Sequence, residues 1–198
     1  RLGAAGQLSV TPYYNKTTQS GLIRHYHAIL DACPLPMILY NVPGRTGMGL
    51  SADTAAGLSR HPSVVGLKEA SGNSTLTGEI LEKTRGELPI YCGNDDQILP
   101  MMAQGSCGAI SVVSNILPDK TRALTRACLE RRMDDAQALA VRPGFVWSSA
   151  GESVPDFTPD PSKSFTRGES EYFFAGKRPG VGSFDTPKAV GEYVGRVA

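Results

Sequence analysis

The chain has 198 residues, enough for one domain but short of the roughly 250 that an eight-unit α/β barrel usually takes. A formal net charge of +1, from 20 Lys and Arg against 19 Asp and Glu, provides no global field to draw the chain to nucleic acid or to an anionic membrane. No apolar run approaches the roughly 18 residues of a bilayer span, and residues 1–7 lack a signal-peptide core, so the expectation is a cytoplasmic protein whose partner is a small molecule.

In chain order, the first apolar run is Leu8–Val10, followed by Thr11, Tyr13 and Tyr14. A helix follows, because Leu22, Ile23, Tyr26, Ile29, Leu30 and Cys33 make one stripe on a 3.6-residue period. The second run, Met37–Val42, carries Tyr40 and leads into the polar turn that ends with Arg45. Ser51 can cap a helix that reaches about Arg60. The third run, Val64–Leu67, ends on Lys68 and Glu69, and a helix capped by Ser74 ends near Gly86. The fourth run, Pro89–Cys92, leads to Asn94–Asp96, and the fifth, Ala109–Val113, to Ser114 and Asn115. Pro118 suits the first turn of a helix running to about Ala140. From about Pro143 the chain is rich in Gly, Pro and Ser, with no helical period before Pro187–Val197. Residues 143–198 therefore read as an irregular tail, and residues 1–142 as the folded catalytic domain.

The starts of the five runs are separated by 29, 27, 25 and 20 residues, and each interval accommodates one strand and one helix. Such alternation implies a parallel sheet, either doubly wound or closed into a barrel. Neither GxxxxGK[ST] nor a GxGxxG turn is present. Polar groups at the carboxyl end of every strand favour the barrel, here as about five of eight strands. Five strands leave two open edges, beside Leu8–Val10 and beside Ala109–Val113. Cys33, Cys92, Cys107 and Cys128 form no CxxC pair, and His25 and His27 point apart on a helix. Buried thiols are preferred over a zinc site, and no metal is expected.

Lys68 carries the most chemical information. A lysine closing a buried strand is costly as an ammonium, and desolvation lowers a lysine pKa toward the range where the neutral amine attacks a carbonyl. The ordinary alternative is a lysine that snorkels to water or pairs with Glu69. Tyr40 ends the preceding run, so adjacent strands would set its hydroxyl beside that amine as a proton shuttle; a packed core tyrosine is the alternative. Arg45 follows the Pro43-Gly44 turn and offers a planar fork for a carboxylate, although a loop arginine is commonplace. Gly72 and Gly93 would let backbone approach a ligand closely, as ordinary turns also would.

Five ordered segments, Val10-Thr11-Pro12-Tyr13-Tyr14-Asn15, Leu39 to Gly47, Gly66 to Gly72, Gly93-Asn94-Asp95-Asp96 and Gly108 to Val112, resemble the 4-hydroxy-tetrahydrodipicolinate synthase (dihydrodipicolinate synthase) family over about residues 8–140. The resemblance implies an α/β fold, a partial TIM (β/α)8 barrel of about strands 4–8. It implies a lyase of lysine and diaminopimelate biosynthesis that joins pyruvate to aspartate semialdehyde through a lysine Schiff base, with no cofactor because the lysine is the electron sink. Lys68 would form the imine and Tyr40 would shuttle protons. Tyr14 would complete a relay reaching into a neighbouring subunit of a homotetramer, a dimer of dimers. Arg45 would hold the semialdehyde carboxylate, Ile110 and Gly93 would line the substrate pocket, and Tyr13 would sit near the dimer interface, where many members bind lysine. Sialic-acid-lyase-like sugar-acid aldolases share the tyrosine and lysine motifs and rank second. The family pattern begins before Arg1 with three strands and a Gly-Thr-Thr-Gly-Glu motif, so the chain is expected to be an incomplete barrel, and an inactive fragment is the third reading.

Overall fold

The structure, a computed structural model, describes residues 3–140. The irregular tail expected over 143–198 lies outside the described residues. Five strands, β1 (Gln7–Val10), β2 (Met37–Asn41), β3 (Val64–Glu69), β4 (Ile90–Cys92) and β5 (Gly108–Ala109), form one sheet. Every neighbouring pair is parallel, and the spatial order β1-β2-β3-β4-β5 repeats the chain order. A doubly wound sheet reverses its order at a switch point. These strands do not reverse, so the sheet is singly wound in the manner of a barrel segment, with β1 and β5 at its edges.

Among the described residues seven α-helices connect and follow the strands: α1 (Gln19–Ala32), α2 (Pro43–Thr46), α3 (Ala52–Leu58), α4 (Ser74–Lys83), α5 (Ile98–Gln104), α6 (Pro118–Leu129) and α7 (Met133–Leu139). Helix α1 lies against α3, α3 against α4, α4 against α5 and α5 against α6, a continuous layer on one face of the sheet. In α1 the row Leu22, Tyr26 and Leu30 is buried, whereas Ile23 and Cys33, at the flanks of the expected stripe, face solvent. Ser51 Oγ accepts the Thr54 amide at 3.2 Å and caps α3.

Three expectations about helices and strands need correction. Asn73, not Ser74, caps α4: its backbone is extended and its Oδ1 accepts the Leu76 amide at 3.2 Å, while Ser74 is already helical. The single helix expected from Pro118 to Ala140 is two helices. Arg131 adopts a left-handed φ of 59°, and the Arg132 amide returns to the Ala127 carbonyl at 2.9 Å, a Schellman closure that ends α6. Finally, the strand expected over Ala109–Val113 stops at Ala109. Asp95 Oδ2 accepts the amides of Val112 and Val113 at 3.1 and 3.2 Å, Asp95 Oδ1 accepts the Ser111 hydroxyl, and Val112 is 58 % exposed. The carboxylate takes the amides that a longer ladder would have used.

The sheet has two unlike faces because strand side chains alternate. On one face Met37, Leu39, Leu67, Ile90 and Cys92 pack with Leu22, Tyr26, Leu30, Ala55, Leu58, Ile80, Ile98 and Met101 as the core. Burying each Leu or Ile contributes about 1.5–3 kcal/mol. On the other face Val10, Tyr40, Lys68 and Tyr91 stand in register across four strands, all partly buried, and Leu8, one step below Val10, is 50 % exposed. Among the described residues no helix is long and apolar enough to cross a membrane. No group of three or more His, Cys, Asp or Glu among them is placed to hold a metal ion.

The cysteines do not share one environment. Cys92 is buried and Cys128 half-buried, but Cys33 and Cys107 are exposed. The expectation of buried thiols is corrected for those two, because Cys33 lies just past the end of α1 and Cys107 just before the edge strand β5.

Candidate functional site

The site is assembled at the carboxyl ends of β2, β3, β4 and β5. Tyr40 and Lys68 are direct Cα partners in the β2–β3 ladder and share a face. Lys68 Nζ lies 4.4 Å from the centroid of the Tyr40 ring, within the range at which a cation is attracted to an aromatic face. The expectation that Lys68 is a buried strand end is corrected: the residue is half-buried, because it occupies the face opposite the helix layer. Its neighbour Glu69, on the helix face, is the buried charged residue, at 1 % exposure. Lys68 makes no ion pair with Glu69, since every ion pair among the described residues lies elsewhere.

Gly93 closes the other side of Lys68. A Cβ added at Gly93 would stand 2.7 Å from Ala70 Cβ, 3.1 Å from Lys68 Cε and 3.2 Å from the Glu69 carbonyl oxygen. The Gly93 amide donates to that same Glu69 carbonyl at 2.8 Å, so the ladder continues past the end of β4. Glycine is required here by close approach rather than by backbone conformation, as its φ is not left-handed. Ile110 extends the next ladder in the same way, its amide donating to the Cys92 carbonyl at 2.8 Å. Its own carbonyl accepts no hydrogen bond among the described residues, leaving an oxygen available to a ligand.

Arg45 sits in the one-turn helix α2, exposed. Its guanidinium makes no ion pair among the described residues. The turn beneath it is anchored: Thr46 is buried, and its hydroxyl accepts from Thr11 Oγ1 at 3.0 Å and reaches the Met48 carbonyl at 2.6 Å. Tyr14 is placed differently. It holds a φ of 57° in the β1–α1 loop and is 92 % exposed, so the structure leaves it in solvent and does not pack it against Tyr40. Tyr13 is exposed beside it. Gly72 has a left-handed φ of 78°, which a turn after β3 requires.

Several residues that build this site show in the sequence only as strand or strand-end residues, without the contacts they make. Tyr91 is the Cα partner of Lys68 on the β4 side and its ring covers Gly66, where a Cβ would come within 3.1 Å of it. Cys107 beside it, and then burial, push the Tyr91 hydroxyl above the usual tyrosine range. Its place at the middle of a short apolar run signalled a strand residue but not which face it took. Asn41 and Glu69, each immediately after a candidate site residue, form a buried pair behind the face, with Asn41 Nδ2 donating to Glu69 Oε2 at 2.7 Å. Asp95, in the segment after Gly93, pins the β5 loop that carries Ile110. Two further groups lie in the core behind the site. Burial pushes the Cys92 thiol up to about 12 and holds the Tyr26 hydroxyl well above its ordinary value.

Residues 1–142 match the family model described as the dihydrodipicolinate synthetase family. The 4-hydroxy-tetrahydrodipicolinate synthase of Exiguobacterium sibiricum is 51 % identical over 129 residues, covering 65 % of this chain and 44 % of the relative. That of Syntrophotalea carbinolica is 47 % identical over 139 residues, covering 70 % of this chain and 47 % of the relative. Among solved structures, the chloride-inhibited dihydrodipicolinate synthase from Acinetobacter baumannii complexed with pyruvate superposes with a TM-score of 0.67 at 43 % identity, covering 70 % of this chain and 47 % of that one. The dihydrodipicolinate synthase from Aquifex aeolicus gives a TM-score of 0.67 at 38 % identity over 69 % of this chain and 47 % of that one. The chain spans about half the length of the curated relatives it matches.

Proposed function

This chain belongs to the dihydrodipicolinate synthetase family, and on that premise we propose that it supplies the imine-forming part of a lyase that condenses pyruvate with aspartate semialdehyde to 4-hydroxy-tetrahydrodipicolinate, in lysine and diaminopimelate biosynthesis. One observation carries the reading: the Lys68 amine lies 4.4 Å from the Tyr40 ring centroid, on a partner residue of the neighbouring strand. An amine that attacks a ketone needs a group to move protons to the departing oxygen, and a phenol on the neighbouring strand is chemically suited to give and retake one once bound substrate brings its hydroxyl within hydrogen-bond reach.

In this reading the Lys68 nitrogen bonds to C2 of pyruvate and the ketone oxygen leaves as water. Loss of a C3 proton gives an enamine, whose C3 forms a carbon–carbon bond to the aldehyde carbon of the semialdehyde. Attack of the semialdehyde's amino nitrogen on C2 closes the ring and returns the Lys68 amine. Tyr40 carries the protons, Arg45 holds the semialdehyde carboxylate through charge-assisted hydrogen bonds, and the Ile110 carbonyl and the Gly93 backbone line the pyruvate pocket. Tyr14 completes the relay from a second copy of the chain, a role consistent with its 92 % exposure, in an assembly of two dimers. The catalytic part is assigned to residues 1–142, the stretch that matches the family model.

The test is chemical trapping. Incubating the 198-residue chain with pyruvate and borohydride should add, at Lys68, the mass of pyruvic acid less one oxygen atom, and Lys68→Ala should abolish the adduct. Labelling of equal strength in the Lys68→Ala variant, or no labelling of the parent chain, overturns the assignment.

A further inference from the structure

Behind the Tyr40–Lys68 face lies a buried polar pair with a defined polarity. Asn41 is fully buried and Glu69 is 1 % exposed. Asn41 Nδ2 donates to Glu69 Oε2 at 2.7 Å, and the Ser71 amide donates to Glu69 Oε1 at 2.5 Å. Asn41 Oδ1 in turn accepts the Leu50 amide at 3.0 Å. No lysine, arginine or histidine among the described residues pairs with Glu69, so only N–H groups satisfy this carboxyl. The connectivity is what gives the pair a task. Asn41 follows Tyr40, Glu69 follows Lys68, and Leu50 closes the segment 42–50 that carries Arg45.

We infer that Asn41 and Glu69 are positioning residues, a clamp that fixes the Arg45 turn against the strand ends bearing Tyr40 and Lys68. The rest of the segment fits this role. The Asn41 carbonyl takes the Ala70 amide at 2.8 Å, locking β2 to β3 beyond their regular ladder. A Cβ at Gly49 would stand 3.2 Å from Asn41 Oδ1, so the returning chain passes flush against the amide. Gln19 Nε2 donates to the Gly49 carbonyl at 2.9 Å and Thr11 reaches Thr46, which tie the outer side of the turn to the β1 side of the sheet. The clamp ties its inner side to β3. The importance assigned to the Arg45 turn rests on the proposed lyase reading, but the clamp itself is a statement about the loop.

Hydrogen-bond polarity supplies a test that separates a clamp from general stability. In Glu69→Gln the introduced carboxamide always leaves one donor facing a donor. If its oxygen accepts from Asn41, its NH2 meets the Ser71 amide; if its oxygen accepts from Ser71, its NH2 meets Asn41 Nδ2. If Asn41 flips to relieve this, the Asn41 NH2 meets the Leu50 amide. The double variant Asn41→Asp/Glu69→Gln satisfies every group again. The carboxyl group introduced at position 41 accepts from Leu50 and from the NH2 of the introduced carboxamide, the carboxamide oxygen accepts from Ser71, and the pair keeps one carboxyl and one carboxamide.

Arg45 is itself an exposed trypsin site, so limited proteolysis of the full chain reads opening of this segment without any substrate. Glu69→Gln should raise the rate of cleavage after Arg45 about tenfold, the factor that 1.4 kcal/mol of lost clamping gives when cleavage follows the open population, while cleavage after Arg24 in α1 and Lys120 in α6 stays at the parental rate. The double variant should return cleavage after Arg45 to the parental rate. The clamp is overturned if Glu69→Gln cleaves like the parent, if all three sites accelerate equally, or if the double variant opens as readily as the single one. Should Glu69→Gln fail to fold, a folded double variant with parental cleavage supports the clamp, and a double variant that also fails overturns it. Absence of pyruvate trapping in the parent would remove the lyase reading and leave this result standing.

Discussion

Replacing Gly93 by alanine tests the close approach that seats Lys68. The new methyl would lie 2.7 Å from Ala70 Cβ, where carbon atoms ordinarily approach no closer than about 3.5 Å. Neither carbon can swing away. The Gly93 amide is bonded to the Glu69 carbonyl at 2.8 Å and the Ala70 amide to the Asn41 carbonyl at 2.8 Å, so relief requires stretching one of these ladders. Overpacking of this kind costs about 1–3 kcal/mol. Restricting the unfolded chain returns about 0.4–1 kcal/mol, since Gly93 holds no left-handed φ that alanine would resist. A net loss of roughly 1–2 kcal/mol should appear as a urea midpoint lower by about 1 M. The second contact, 3.1 Å to Lys68 Cε, is relieved more cheaply because that atom is near the end of a flexible side chain, but relief moves the amine relative to Tyr40. Gly93→Ala should therefore also slow borohydride trapping of pyruvate. Ala70→Gly/Gly93→Ala separates the two effects: stability should recover, and trapping should stay slow. Parental stability and parental trapping in Gly93→Ala would refute the reasoning, and full recovery of both in the double variant would show that the Lys68 contact is inconsequential.

Asp95→Ala should free the loop that follows Ile110, because it removes the acceptor of the Ser111 hydroxyl and of the Val112 and Val113 amides. The expected cost is about 1–2 kcal/mol, at the low end for bonds to a charged group because water reaches these amides, and hydrogen exchange should lose its protection at Val112 and Val113 while core strand amides keep theirs. The core behind the site should make the chain labile to alkali. Cys92 rises from 9.0 to about 12 through burial, so the folded state keeps the proton that the unfolded chain releases. Its contribution is complete below about pH 9 and is lost as pH rises toward 12, with a slope approaching about 1.4 kcal/mol per pH unit. Urea midpoints measured from about pH 8 to 10 should fall, and Cys92→Ala should flatten that fall.

The strand order and the helix layer were legible in the sequence because each rests on a local period. The strands show as short apolar runs at regular intervals, and Leu22, Tyr26 and Leu30 recur every four residues, so neighbouring residues alone reveal which side of α1 is buried. The adjacency of Tyr40 and Lys68 followed from the same logic, each ending the apolar run of one strand in consecutive units. What was hidden depends on partners far along the chain. The end of β5 is set by Asp95, a carboxylate sixteen residues before Ser111, and apolar Val112 and Val113 give no hint that their amides are claimed. The break after α6 needs Arg131 in a left-handed conformation, and arginine is not a residue that advertises one. Asn41 and Glu69 read as polar strand-end residues, and only the folded ladder shows that they meet behind the site.

Position and solvation of the Lys68 amine have different physical origins. The distance from Lys68 to Tyr40 is fixed by one parallel ladder, and its contact with Gly93 by the continuation of the next. Both belong to neighbouring strands and require no closure of the sheet into a ring. Exclusion of water is another matter, since the face carrying Lys68 has only partly buried neighbours and Leu8 on the same face is half exposed. Keeping water from the amine takes apolar cover over that face of the sheet. The ladders therefore determine which atoms meet, and the cover over that face determines how far water is kept from them.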